Sequence, residues 1–145
     1  MSARVKLMYE ALKLESLIEY YIEKIKKAYH VAERKVRANP RPNNLWVPTK
    51  ELLEEALVKL HMVKQLVTKT KTRGSPHYLV DAMDRLSNLY YSIESRRGMP
   101  NVKKNVAASV MGILLEVRKL YVKHQEASKS TSRVKTKSQD TIKIV

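Results

Sequence analysis

This sequence predicts an all-α protein, an antiparallel bundle of four long helices. Apolar residues recur at spacings of three and four over long segments, and the three glycines and five prolines fall almost entirely between those segments. The links left over are short, and helices joined by short links become antiparallel neighbours.

The first helix is expected over 2–37. Leu7, Ala11, Leu14, Ile18, Tyr21, Ile25, Ala28 and Ala32 form a seam stepping by four then three, widened by Met8, Ile22, Tyr29 and Val36. Lys6, Lys13, Lys27 and Arg34 recur every seven residues on another side, so one helix can both pack and present cations. Two placements satisfy this pattern: helix 1 within the bundle, or helix 1 projecting from a three-helix bundle as an arm that wraps nucleic acid. Asn39-Pro40-Arg41-Pro42-Asn43-Asn44 ends the helix, because the residue before each proline is pushed out of the helical region. Leu45, Trp46 and Val47 make an apolar knot after it, with Trp46 expected to close the core or to anchor a neighbour.

Helix 2 is expected over 50–73, with Thr49 as N-cap, Glu51, Glu54 and Glu55 near its positive end and Lys69, Lys71 and Arg73 near its negative end. Leu53, Ala56, Leu60, Val63 and Val67 form its buried row. Gly74 stops it, and Ser75-Pro76 opens helix 3 over 77–97, with Leu79, Met83, Leu86, Tyr90 and Ile93 inward. Met99-Pro100-Asn101 links to helix 4 over 102–127, whose inward row is Val102, Val106, Val110, Ile113, Val117 and Leu120. These make one helical domain, 1–127. Residues 128–145 are rich in Ser, Thr and Lys and read as a basic tail, extended or ordered only by partners.

The formal net charge is +15, from 29 Lys plus Arg against 14 Asp plus Glu. Such an excess calls for an anion, and a polyphosphate is the commonest one. Nucleic acid is therefore the expected partner, with an anionic membrane surface as the rival. The best candidates for phosphate contact are Lys26, Lys27, Arg34, Lys35, Arg37 and Arg41 around the first link, Lys69, Lys71 and Arg73 at the end of helix 2, Arg96, Arg97, Lys103 and Lys104 around the third link, and Arg133, Lys135 and Lys137 in the tail. Lys and Arg neutralise phosphates and release counterions, giving salt-dependent binding with little base selection. No zinc finger, compact recognition turn or aromatic-rich strand points to sequence reading. The tyrosines are expected mostly at core positions with their hydroxyls at the rim.

Other chemistry finds little support. There is no cysteine, which excludes disulfides, thiolate zinc and a Cys nucleophile. No cofactor or metal is expected: the four histidines share no ligand spacing, and Gly-rich phosphate loops are absent. Glu15, Glu19 and Glu23 form a row at four-residue spacing, expected to be solvated with Glu23 paired to Lys27. The longest apolar run, 106–115, is about half of what a membrane span needs, and no signal peptide is expected at the start.

Arg118-Lys119-Leu120-Tyr121-Val122-Lys123-His124 resembles the Arg-x(4-6)-His motif of the HEPN superfamily of helical ribonucleases. That resemblance implies RNA cleavage by Arg118 and His124. Over most of its length the chain, with its long amphipathic first helix, proline-broken basic turn, short-linked helices and basic tail, resembles the major capsid proteins of filamentous and rod-shaped viruses of archaea. This second resemblance implies a non-enzymatic virion subunit, assembled in the host cytoplasm, that pairs with itself or a homologous chain and sheathes double-stranded DNA through backbone contacts. The alternative is a small helical subunit of an RNA-guided effector complex.

Overall fold

The computed structural model describes residues 2–144, with side chains described from 2 to 125. Its elements are α1 (Ala3–Ala38), α2 (Trp46–Arg73), α3 (Tyr78–Ser95) and α4 (Pro100–Ile144). Each helix packs on the next and α4 returns to α1, whereas α1 and α3 make no close backbone approach and α2 and α4 barely do. This is an up-down-up-down four-helix bundle with α1/α3 and α2/α4 on its diagonals.

The seam of α1 is sealed along its length. Leu7, Ala11, Leu14, Ile18, Ile22, Ile25 and Ala32 are all buried. Tyr21, expected in the seam, is only half-buried, and Ile22 takes its place, because a straight helix of 3.6 residues per turn drifts off a strict heptad. The projecting-arm placement is thereby overturned. At about 1.5–3 kcal/mol for each Leu or Ile side chain, leaving this row exposed would forfeit on the order of 10 kcal/mol.

The opposing rows come from the other three helices: Leu52, Leu53, Ala56, Leu60, Val63 and Val67 of α2, Leu79, Ala82, Leu86, Leu89 and Ile93 of α3, and Val106, Ala107, Val110, Ile113, Val117 and Leu120 of α4. Trp46 packs against this core from the bundle's end, partly buried within its own chain.

α2 begins a turn earlier than the sequence suggested, and Thr49 is not its cap. Asn44 organises the start instead: its Oδ1 accepts from the Trp46 N–H at 3.1 Å while its Nδ2 donates to the Asn39 carbonyl at 2.7 Å. Pro48 then falls within the first turn, where a missing N–H costs nothing. Thr49 is wholly buried inside the helix. Its hydroxyl donates to the Leu45 carbonyl at 2.6 Å and accepts from the Met99 N–H at 2.7 Å, fastening the α3–α4 link to α2.

At the opposite end Gly74 adopts φ 64°, the left-handed cap its position implied. A Cβ there would also crowd the exposed Arg4 side chain, which can swing aside, so it is the positive φ that calls for glycine. Pro100 opens α4 as its first residue. The backbone of α4 then continues to Ile144, through the stretch the sequence assigned to a tail, with no proline or glycine after Gly112 to stop it. The side chains of Arg133, Lys135 and Lys137 lie outside the described residues.

Candidate nucleic-acid interface

The α1–α2 seam consumes charge. Glu15 and Glu19, expected to be solvated, turn toward α2 and meet Lys71 at 2.7 Å and Lys64 at 2.5 Å. Thr68 also donates to Glu15. Burial pushes the Glu15 carboxyl up, but the hydrogen bonds from Lys71 and Thr68 and the nearby lysine charges outweigh it and hold the group below the ordinary carboxylate range. Glu19 is lowered chiefly by its hydrogen bond from Lys64. Glu23 pairs with Lys26 at 3.3 Å rather than with Lys27.

The α1–α4 edge is built differently. A groove of about 870 Å³ runs between the N-terminal half of α1 and the C-terminal part of the described α4, with Leu14, Leu17 and Leu120 as floor and Lys6, Lys13, Lys119 and Lys123 along its rims. Glu10 and Glu116 sit in it, but both are taken: Lys123 Nζ lies 2.9 Å from Glu10, and Lys119 3.3 Å from Glu116. Burial would raise the Glu10 carboxyl, yet Lys123 and His124 together hold it below its usual range. A second groove follows at the other end of the same edge, lined by Tyr21, Lys24, Ala28, Val102 and Asn105 among others.

Of the cations singled out from sequence, Lys26, Arg37, Lys71 and Arg96 are occupied, by Glu23, Glu33, Glu15 and Glu55 respectively. Lys103 is half-buried and donates to the Glu94 carbonyl at 3.3 Å. Lys27, Arg34, Lys35, Arg41, Arg97 and Lys104 are exposed and form no ion pair among the described residues; together with Lys103 they cluster at one end of the bundle. Lys69 and Arg73 are also exposed, at the opposite end. The fold thus divides those residues between two ends instead of gathering them.

What it gathers is a row that the sequence showed as periodicity but that the candidate residues largely omitted. Lys6, Lys13, Lys24, Lys27 and Lys35 of α1 fall on the outward and α4-facing sides of that helix, and Lys119 and Lys123 on the matching sides of α4, while Lys104 lines a groove with Tyr90 and Glu94 of α3. Tyr9 and Tyr20 stand in the same row, more than half exposed at 54% and 58%, contrary to the expectation of rim hydroxyls. Lys13 Nζ lies 4.8 Å from the Tyr9 ring centroid and Lys24 Nζ 5.5 Å from that of Tyr20. The opposite face, formed by α2 and α3, carries Glu51, Glu54, Glu55, Asp81 and Asp84, with Arg85 and Arg96 tied to Asp81 and Glu55, and α2 also carries Lys50, Lys59, Lys69 and Arg73, which form no ion pair among the described residues.

The ribonuclease resemblance finds no site. Arg118 is exposed on the outer side of α4, whereas His124 is 7% exposed and faces the core, with Nε2 buried, lacking a hydrogen bond and 3.5 Å from Glu10 Oε1. Six residues of helix separate them and turn them apart. Among the described residues there is no group of three or more His, Asp or Glu placed to hold a metal, and no helix long and apolar enough to cross a membrane. Comparison with protein-family models, with curated proteins and with solved structures finds no match to this chain.

Proposed function

We propose that this protein is a non-enzymatic, nucleic-acid-coating bundle that lies along a polyphosphate backbone by its α1/α4 face and binds without reading sequence. One observation carries the reading: among the described residues Lys6, Lys13, Lys27 and Lys35 form no ion pair along the outward and α4-facing sides of α1, and the two carboxylates of the adjoining groove, Glu10 and Glu116, are already held by Lys123 and Lys119. A row of such lysines along one long helix matches a linear polyanion. Exposed Leu12, Leu115 and Val122 beside that face, and Val58 and Tyr91 on the other, supply apolar contacts between neighbouring subunits on one strand.

A capsid subunit on duplex DNA is the form of this reading that the resemblance suggests. It called for a wrapping arm, and α1 lies within the bundle, so a coat of this protein would present a rigid face in place of a claw. The test is binding of nucleic acid of arbitrary sequence across a salt series, with electron microscopy of the product. Affinity should fall linearly on logarithmic axes, by about 0.7–0.9 per phosphate contacted, and filaments should form. Salt-independent binding, or none at low salt, overturns the proposal.

A further inference from the structure

We infer that the α1/α4 groove is a base-binding site, and that the polymer this protein coats is single-stranded. The inference rests on the α1/α4 face being the polyanion face and adds the form of the polymer.

Charge neutralisation alone needs only lysines on a convex surface. Here Lys6 and Lys13, which form no ion pair among the described residues, stand on the rim of an apolar floor of Leu14, Leu17 and Leu120, while the other two rim lysines, Lys119 and Lys123, hold the groove's carboxylates Glu116 and Glu10. A duplex offers that floor no base faces, because these are stacked inside and only sugars, phosphates and the base edges in the grooves are exposed. An unpaired strand carries both chemistries the groove provides for, phosphates for the rims and flat apolar base faces for the floor.

The two exposed tyrosines add stacking surfaces on the same track. Tyr9 lines the groove, and Tyr20 lies eleven residues further along the same side of α1, about 16 Å away at 1.5 Å per residue. Each has a lysine ammonium within about 6 Å of its ring, so a base stacked there has a cation beside its phosphate. Tyr91, the most exposed tyrosine at 70%, lies on α3, two turns along from Asp84, and among the described residues has no cation over its ring, which makes it an internal control.

The experiment is fluorescence anisotropy of the full chain at one salt concentration. The probes are a short oligothymidylate, the matching oligouridylate, a duplex of equal length, inorganic polyphosphate and phosphatidylserine vesicles. The single strands should bind most tightly, and Tyr9→Ala and Tyr20→Ala should each weaken them about 5- to 100-fold, the range of one lost base stack. Duplex and polyphosphate binding should stay within about threefold in both variants, as expected of contacts to phosphate alone. Tyr9→Phe should restore single-strand binding, and Tyr91→Ala should leave it unchanged. Equal affinity for single strand and duplex, with no effect of Tyr9→Ala, overturns the base site and leaves the coating function standing. Preferential vesicle binding that Tyr9→Ala abolishes overturns it in favour of a lipid site. No binding to any polyanion brings down the proposed function itself.

Discussion

The two long edges of α1 use the same residue types to opposite ends. Toward α2, Glu15 and Glu19 meet Lys71 and Lys64, and the seam is closed and neutral. Toward α4, lysines outnumber carboxylates, the helices stand apart over leucines, and the charge stays open to a partner. Charge excess becomes a binding surface only where packing decides which ions neutralise each other.

The comparison breaks most visibly if α1 is not part of the bundle. Ile18→Ala removes a wholly buried side chain shared by both edges and should cost about 2–5 kcal/mol in urea or thermal unfolding, with all four helices melting together. A peripheral arm would lose far less. Next in size is the contrast in charge. Reversing Lys13 and Lys27 to Glu should weaken nucleic-acid binding roughly 100-fold at low salt, equivalent to about 2.7 kcal/mol, and flatten the salt dependence. Reversing Lys50 and Lys59 of α2 should change it by less than about threefold.

Smaller effects sharpen the difference between the edges. Glu15→Gln should destabilise by about 1 kcal/mol at neutral pH, since it strands the half-buried Lys71 ammonium. The sign with pH follows from the depressed carboxyl: its stabilisation is complete above the ordinary Glu value of about 4.3 and disappears as pH falls through the lower folded value. The wild type should therefore lose stability in that acid window and the Gln variant should lose less, which paired thermal melts would read. On the other edge, His124→Leu exchanges a buried Nε2 that makes no hydrogen bond, and its 3.5 Å approach to Glu10, for an apolar side chain, and should change stability by no more than about 1 kcal/mol at pH 8. A catalytic His124 would instead show as RNA cleavage by the wild type that this variant lacks.

Much of the fold was legible because helical periodicity is local. The stops at Gly74 and before Pro100 are properties of single residues, and so are visible without a partner. The start of α2 was misread because Thr49 has the chemistry of a cap, and only the packed structure shows its hydroxyl turned to Met99 across the link. The site was legible in part. The row of Lys6, Lys13, Lys27 and Arg34 stood out by spacing, but helix ends drew the choice of candidates toward Lys71, Arg37 and Arg96, whose partners lie in other turns or other helices.

From the sequence alone come four amphipathic helices, their order, the stops of the first three and an excess of cations, because each depends on residues within a few turns of one another. Which carboxylate faces which lysine depends on how one helix is rotated against the next. That rotation is set by the leucines, isoleucines and valines of all four helices together, so only the assembled bundle decided that one face would be left positive, grooved and studded with tyrosine.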